Sequence, residues 1–333
     1  MSKKVAISVV IPSYKVKKHI LSVIKSIGQE VSKIYVVDDK CPEETGKFVE
    51  KFCKDKRVNV IYHSINLGVG ASVMTGYRES ITDKMDIVVK IDGDGQMEPN
   101  LIPQFVIPII KHEADYTKGN RFHDLDKLSS MPMLRLIGNA LLSFLTKFSS
   151  GYWNIFDPTN GYTAIHIDII KNLPLHKISN RFFFESDMLF RLNLLRALVI
   201  DIPMEAKYLN EKSNLRPTKV ASEFLFKNLR NFLKRIFYNY YLRDLNVASF
   251  ELPIGMALIF FGLFYGGYHW LLSAQTGINS PTGSIMISSL GILMGFQLIL
   301  AFLNADISNV PLRCIHINYV NNFSHAMKKH FKL

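Results

Sequence analysis

Cysteine is scarce in this chain, and its three thiols follow no functional pattern. Only three of the 333 residues are cysteine. An odd number of thiols without metal-type spacing excludes a disulfide framework and the common zinc motifs. We therefore expect Cys41, Cys53 and Cys314 to be reduced thiols without a functional role.

Charge is missing from one long internal stretch. Between Glu251 and Asp306 there is no aspartate, glutamate, lysine or arginine. The stretch divides into residues 252–272 and 284–304, and about 20 apolar residues are enough for a helix to cross a bilayer. The residues between them include Gly, Asn and Pro, which are typical of a turn. The sequence thus predicts two transmembrane helices within residues 251–305.

The first residues do not form a signal peptide, because their apolar run is only about eight residues long and is broken by Pro12. We expect this run to be a buried strand instead. The net charge is +12, and the basic residues concentrate before the first predicted span and after the second. By the positive-inside rule, both termini and the N-terminal domain are cytoplasmic. Basic residues that flank membrane spans favour anionic lipid headgroups over nucleic acid as partners.

The first 215 residues alternate between β-type apolar runs and helical patterns. This alternation predicts an α/β domain with a doubly wound, mostly parallel sheet. Strands are predicted at 5–11, 33–37, 58–62, 87–91, 115–120 and, with a turn, 157–167. Helices are predicted near 19–27, 44–54, 70–81, 132–148 and 185–198. Residues 216–250 are basic and aromatic, which predicts interfacial amphipathic helices, and residues 306–333 form a predicted cytoplasmic tail.

Two carboxylates around a glycine follow the fourth predicted strand, in the sequence Asp92-Gly93-Asp94-Gly-Gln96. Carboxylate oxygens suit Mg²⁺ or Mn²⁺, which often share their ligands with a diphosphate. Glycines remove side chains where a diphosphate must approach. A solvated turn is the alternative. The acidic loop after the second strand favours the metal site, because the carboxyl ends of parallel strands meet at one edge of a sheet.

Other polar residues follow the predicted strands or begin the later helices. Asp38 and Asp39 could accept hydrogen bonds from a nucleobase, or they could cap the next helix. The first strand ends in Pro12 and Tyr14, which could contact a nucleoside. Candidates for phosphate binding are Arg121, Arg135, Lys212 and Ser213, and candidate pocket acids are Glu185 and Asp187, with surface or helix-terminus roles as the alternatives.

A glycine pattern at Asn66, Gly68 and Gly70 is similar to the beginning of a dinucleotide fingerprint. It has Val73 in place of the third glycine and follows the third strand rather than the first. A tight turn leading into a helix is the better interpretation.

Four segments resemble family 2 glycosyltransferases: IPSY at 11–14, VVDD at 36–39, NLGVGASVMTGY at 66–77 and DGDGQMEP at 92–99. Together with DPTNGYTAI at 157–165, they resemble the polyprenyl-phosphate hexose synthases within that family. The resemblance covers essentially the whole chain, since bacterial glucosyl relatives also carry two C-terminal transmembrane helices. It implies a GT-A fold and an inverting reaction.

The resemblance also implies roles for individual residues. Pro12, Tyr14 and Asp39 would hold the nucleoside, with Asp92 on the ribose side. Asp94 and Gln96 would hold the metal. Arg121 would lie near the diphosphate and Asp157 near the sugar or the acceptor. The chain departs from the family at Lys15-Val16, where Asn-Glu is frequent, and at Thr163, where many members have arginine.

These observations predict a metal-dependent transfer of a hexose from a nucleotide sugar, UDP-glucose or GDP-mannose, to polyprenyl phosphate. Two alternatives stay open. The first is a membrane glycosyltransferase that acts on a hydroxyl acceptor, with Glu185 or Asp187 as its general base. The second is a membrane scaffold with a degenerate nucleotide domain, which the complete DGDGQ segment disfavours. Two spans per chain would also allow a homo-oligomer.

Overall fold

A computed structural model of the chain describes residues 5–123, 133–205 and 217–317. By its internal contacts the chain divides into two units, one of Met1–Phe232 with Pro311–Leu333 and one of Leu233–Val310. Each unit is described separately below.

The first unit is built around a seven-stranded sheet in the order β3-β2-β1-β4-β6-β5-β7. The strands are β1 Ile7–Ser13, β2 Val31–Asp38, β3 Val58–Tyr62, β4 Ile87–Lys90, β5 Tyr116–Asn120, β6 Thr163–His166 and β7 Val199–Pro203. Its helices are α1 Ile20–Lys25, α2 Thr45–Phe52, α3 Val69–Thr82, α4 Ile102–Ile110, α5 Met133–Ser150, α6 Ile167–Asn172 and α7 Phe184–Leu195. A further helix, α8 Pro217–Phe237, begins in this unit.

The mostly parallel sheet is confirmed, and so is the α/β class. β1, β2, β3 and β4 pair in parallel, as do β5 and β7. β6 is the exception, because it runs antiparallel between β4 and β5. The sequence pattern did not predict β7, whose five residues VIDIP directly follow a helix and end in proline. A run of five residues is too short to show a clear alternation of apolar and polar residues, which is the pattern that identifies a strand.

The main core lies on one face of the sheet, between the strands and helices α1, α2 and α4. The side chains of β4 alternate between the two faces of the sheet. Ile87 and Val89 belong to this core, whereas Val88 and Lys90 point to the opposite face. That opposite face is covered by α3 and α7, and it is the side on which the functional site opens.

Helix α8 has an unusual distribution of polar side chains. Asn228 and Asn231 are buried, while Leu225, Phe226 and Leu229 are more than half exposed. The buried amides are satisfied, since Ser149 Oγ donates to Asn228 Oδ1 at 2.5 Å and Asn231 donates to Asp187 at 3.1 Å. Phe232 and Ile236 of the same helix are buried, at 9% and 6% exposure. The interfacial role of this helix stays a prediction.

The segment after the second apolar helix attaches to the first unit through Asp115, next to β5. The carboxylate accepts hydrogen bonds from the backbone N–H groups of Leu198, Ile315 and His316 and pairs with the His316 ring at 2.6 Å. Cys314 lies beside this pair, and the three residues are of metal-binding types. Because the carboxylate is already fully hydrogen-bonded, we assign the cluster a structural role. Ile315 and His316 thus contribute to the fold of the first unit.

Replacing Asp115 with asparagine is expected to lower the free energy of unfolding by about 1.5–3 kcal/mol, because it weakens the hydrogen bonds that several buried donors make to a charged acceptor. Burial alone would raise the pKa of Asp115, but hydrogen bonds from His316 and from backbone N–H groups lower it. The contribution is therefore present above the ordinary carboxyl pKa of about 4 and is lost as the pH falls below it. Thermal unfolding of purified protein, followed from about pH 7 down to about pH 2, measures this. Glu113→Gln, at an exposed neighbouring position, is the control.

The second unit consists mainly of two long helices, α9 Ala248–Thr276 and α10 Thr282–Ser308. Both are long and apolar enough to cross a membrane, and they contain the segments 252–272 and 284–304. Only 22% and 17% of their most apolar windows are buried, so they are not core helices of a soluble domain. Small residues allow close packing: a side chain on Gly255 or Gly295 would meet the other helix's backbone within 3 Å.

Candidate active site

The carboxyl ends of β1, β2 and β4 meet at one edge of the sheet and open into a cavity of about 520 Å³. The cavity includes loop residues after β1, β2, β3 and β4 and the beginning of α7. Its lining consists of Pro12, Ser13, Tyr14, Val16, Asp39, Asn66, Gly68, Val69, Ser72, Lys90, Asp92, Gly93, Asp94, Arg181, Phe182 and Glu185. The structure therefore brings together most of the predicted donor-binding residues.

One wall of the cavity is formed by Pro12, Tyr14 and Asp39. Tyr14 leaves 45% of its surface exposed, so its ring is available to a ligand. Asp39 is buried and accepts hydrogen bonds from the backbone of Leu67 at 2.8 Å and of Gly68 at 2.7 Å. Its other partner is the His63 ring at 2.8 Å. This network holds the Asp39 carboxylate in one orientation at the cavity wall.

The two neighbouring acids of the DD pair have different environments. Asp38 is buried and does not line the cavity. Its carboxylate accepts hydrogen bonds from the backbone N–H groups of Cys41 at 2.7 Å and Gly46 at 2.6 Å. These hydrogen bonds fix the loop and the start of α2, and the structure does not bring Asp38 to the cavity with the other predicted donor-binding residues. Successive residues at a strand end point to opposite sides, and only Asp39 faces the ligand edge.

Asp92, Gly93 and Asp94 all line the cavity. Asp92 Oδ1 pairs with Lys90 Nζ at 2.6 Å, and Asp94 Oδ1 accepts a hydrogen bond from the backbone of Gln96 at 3.0 Å. Gln96 itself is not among the lining residues. Two hard oxygen donors on one cavity wall fit an Mg²⁺ or Mn²⁺ ion shared with a diphosphate.

The glycines of this loop also have local structural roles. A Cβ on Gly93 would lie 3.0–3.3 Å from side-chain atoms of Ile20, Val16 and Ile11, so a larger residue there would be tightly packed. Gly95 has φ +80°, a left-handed conformation that glycine adopts without strain. Room for a diphosphate at Gly93, which lines the cavity, stays a prediction.

Arg121 and Asp157 form a close pair outside the cavity lining. The Arg121 guanidinium binds both carboxylate oxygens of Asp157, at 2.7 and 3.0 Å. The Asp157 side chain is fully buried, and Asn160 also donates to it at 3.3 Å. The predicted contact of Asp157 with a sugar or acceptor stays a prediction. Asp157 holds Arg121 and the loop before β6 in position.

The two predicted pocket acids are also separated. Glu185 lines the cavity, whereas Asp187 is buried elsewhere and accepts from the backbone of Ser179 at 2.9 Å and from Asn231 at 3.1 Å. Asp187 therefore connects α7 to α8, and it is not among the lining residues of this cavity. Burial raises the pKa of Glu185 to about 7, although Lys90 and Lys118 act in the opposite direction. Glu185 is thus partly protonated near neutral pH.

Several cavity residues were missed by sequence reasoning. Lys90 is the clearest, because a lysine inside the apolar run of a central strand breaks the pattern and could have been noticed. Asn66, Gly68 and Ser72 line the cavity as part of the turn into α3. No local sequence pattern marked Arg181 and Phe182 as site residues, because only the packing of α7 brings them to the cavity. The predicted acceptor-phosphate residues Lys212 and Ser213, and the side chain of Arg135, lie outside the described part of the chain.

The arrangement combines a nucleoside-sized wall, a carboxylate pair for a hard cation and one buried lysine. Comparisons with known proteins agree with this chemistry. The family model for glycosyl transferase family 2 matches residues 8–173 of this chain. An uncharacterized protein of Methanocaldococcus jannaschii is 30% identical over 224 residues, which cover 66% of this chain and 90% of that protein.

Two characterised relatives have informative names. The UDP-N-acetylglucosamine–dolichyl-phosphate N-acetylglucosaminyltransferase of Methanococcus voltae is 27% identical, covering 66% of this chain and 92% of that protein. The undecaprenyl-phosphate mannosyltransferase of Micrococcus luteus is 27% identical, covering 52% and 71%. The fold is similar to that of glucosyl-3-phosphoglycerate synthase from Mycobacterium tuberculosis, solved with UDP, at a TM-score of 0.52 and 19% identity, covering 69% of this chain and 79% of that one.

Proposed function

The chain belongs to glycosyl transferase family 2, and from that premise we propose that it transfers a hexose from a nucleotide sugar to polyprenyl phosphate. That it is a glycosyltransferase follows from the family. The lipid-phosphate acceptor is supported by the names of two relatives, which act on dolichyl and undecaprenyl phosphate. The observation that carries the proposal is the cavity itself, where Asp39, Asp92 and Asp94 share one sheet edge.

The chemistry of a phosphate acceptor matches the residues around the cavity. A phosphate monoester has a second pKa near 6 and is mostly dianionic at neutral pH. It attacks the anomeric carbon in line without a general base, and the diphosphate leaves from the opposite face with inversion. Asp39 would hold the nucleobase between Pro12 and Tyr14, and Asp92 would contact the ribose side. Mg²⁺ or Mn²⁺, held by Asp94 with Asp92 and Gln96, supplies positive charge to the leaving diphosphate when bound.

The membrane part of the chain supports the same acceptor. We propose that α9 and α10 both span the bilayer, with the catalytic domain and both termini in the cytoplasm. The exposed apolar side of α8 would lie in the headgroup plane. A polyprenyl tail would then stay in the bilayer while its phosphate reaches the cavity. UDP-glucose and GDP-mannose are the proposed donors.

The experiment that tests the proposal uses the full-length protein in lipid nanodiscs with undecaprenyl phosphate, Mn²⁺ and a panel of radiolabelled nucleotide sugars. We expect at least one donor to give a labelled lipid that is stable to alkaline phosphatase. If no donor labels the lipid under conditions where a nucleoside diphosphate binds, the proposed acceptor is wrong.

The pH dependence of Glu185 separates a phosphate acceptor from a hydroxyl acceptor. Glu185 loses its proton as the pH rises through about 7. As the base for a hydroxyl, it would make kcat rise over that range. Beside a phosphate acceptor, its charge instead repels the substrate, so the KM for polyprenyl phosphate should rise above pH 7. We expect Glu185→Gln to keep kcat within about tenfold and to abolish this rise. A collapse of kcat in Glu185→Gln, with normal thermal unfolding, would favour the hydroxyl acceptor.

A further inference from the structure

Lys90 is a buried lysine on the floor of the cavity. It is the last residue of β4, and only 1% of its surface is exposed although it contributes to the cavity lining. Its ammonium group pairs with Asp92 Oδ1 at 2.6 Å. Burying a charged amine is costly unless it has partners, so a position of this kind indicates a specific purpose for the charge.

Three segments of the first unit surround the ammonium group of Lys90. A Cβ on Gly161 would overlap Lys90 Nζ, so the loop before β6 passes directly over the ammonium. The ring of Phe184, at the start of α7, lies 5.6 Å from Nζ. Lys90 is thus enclosed by the DGDG loop, the loop before β6 and the helix that carries Glu185.

The charge balance of the cavity makes this ammonium necessary. Four acids line the cavity, namely Asp39, Asp92, Asp94 and Glu185, and both proposed substrates carry phosphate groups. Among the described lining residues, the cations are Lys90 and Arg181, and Arg181 is exposed. A divalent ion would balance the diphosphate beside Asp94. Lys90 and Arg181 are thus the cations among the described lining residues that can offset the repulsion between Glu185 and an incoming phosphate.

We propose that Lys90 is the residue that receives the acceptor phosphate and holds it beside the anomeric carbon. This inference rests on the proposed function and names the group that binds its second substrate. The ammonium stays paired with Asp92 on one side and donates to a phosphate oxygen on the other, since it has three N–H donors. An unprotonated phosphate oxygen then forms the bond to the anomeric carbon. The bond from that carbon to the diphosphate breaks with its electron pair, and no proton is transferred.

Lys118 provides a matched comparison within the same sheet. In the strand pairing, Thr163 lies between Lys90 of β4 and Lys118 of β5. Lys118 is also fully buried, but it donates to the backbone oxygen of Asn160 and does not line the cavity. Replacing Lys118 therefore removes a buried lysine from the same face of the sheet without removing a cation that a substrate can reach.

The test uses full-length Lys90→Met, Lys90→Arg and Lys118→Met in nanodiscs. The KM for undecaprenyl phosphate is measured with the donor that the wild type uses, and the Kd for UDP and GDP with Mn²⁺ is measured by calorimetry. We expect Lys90→Met to raise the acceptor KM at least about tenfold, as the loss of a charge-assisted hydrogen bond would, with the nucleotide Kd changed less than twofold. Lys90→Arg should recover part of this loss. Lys118→Met should raise the acceptor KM less than about threefold.

Three results would overturn the assignment. They are an acceptor KM that stays at the wild-type value in Lys90→Met, a nucleotide Kd that rises as much as the acceptor KM, and an equal effect of Lys118→Met. In each of these cases the wild type still transfers sugar to the lipid, so the proposed function stands. If the wild type transfers no sugar to undecaprenyl phosphate at all, both the proposed function and the assignment of Lys90 are wrong.

Discussion

Replacing Asp94 with asparagine is expected to lower kcat by at least about 10³-fold without unfolding the protein. Asp94 lines the cavity at the end of β4 and is the main proposed ligand of the divalent ion. Neutralising the leaving diphosphate contributes several kcal/mol to the transition state, and about 4 kcal/mol corresponds to a factor of about 10³. Asparagine keeps the shape of the side chain but removes the charge that binds the metal. Initial rates at saturating donor and acceptor measure the effect.

Metal titration connects this loss to its proposed cause. EDTA should abolish wild-type activity, and added Mn²⁺ or Mg²⁺ should restore it. Asp94→Asn should need a higher Mn²⁺ concentration for any residual activity. Asp168→Asn is the control, because Asp168 pairs with Lys171 on α6 and does not line the cavity. Wild-type activity that survives EDTA, or full activity in Asp94→Asn, would contradict a role for Asp94 in metal binding.

The second large effect is expected on stability, from Asp306→Asn. Within the second unit, Arg235 binds both oxygens of Asp306, at 2.6 and 2.9 Å, and Tyr240 donates to the same carboxylate at 2.7 Å. Both charged side chains are only 2% exposed. Removing Asp306 leaves the Arg235 guanidinium buried without its counter-ion, which typically costs about 3–5 kcal/mol. Thermal unfolding in a mild detergent should show a clear decrease in Tm.

Two further variants isolate the ion pair. Asp244→Asn changes an exposed acid of the same unit and should leave the Tm nearly unchanged. The double variant Arg235→Met with Asp306→Leu removes both charges, and it should recover much of the stability lost in Asp306→Asn, because no unpaired charge remains buried. If Asp306→Asn unfolds at the wild-type temperature, the pair contributes little and the close packing of α9 and α10 is sufficient.

The DGDG loop shows why a motif can be found from sequence while its partners cannot. A strand followed by Asp92, Gly93 and Asp94 is a local pattern, and local patterns place side chains relative to their own strand. The same local pattern could also have predicted the ion pair between Asp92 and Lys90, because the two residues are two positions apart and lie on the same face of the strand. The role of Glu185 required α7 to be packed over that face, which no local pattern contains.

Three acids that the sequence placed at the site do not line the cavity, and they share a physical environment. Asp38, Asp157 and Asp187 are acids in plausible sequence positions, yet each is buried and already hydrogen-bonded by backbone or side-chain donors. A buried carboxylate must find such donors, and the sequence does not distinguish that structural need from a catalytic one. Only the surroundings of each side chain decide between the two.

By itself the sequence determined the α/β class, the predicted strands up to β4, the metal-type loop after it and two helices able to cross a membrane. These features depend on the periodicity and composition of neighbouring residues, which a single chain displays directly. Only the tertiary structure decided the antiparallel β6, the attachment of Asp115 to the C-terminal segment, and which acids face the cavity. Those features depend on contacts between residues far apart in the chain, such as Asp115 with His316, and such contacts exist only after the chain has folded.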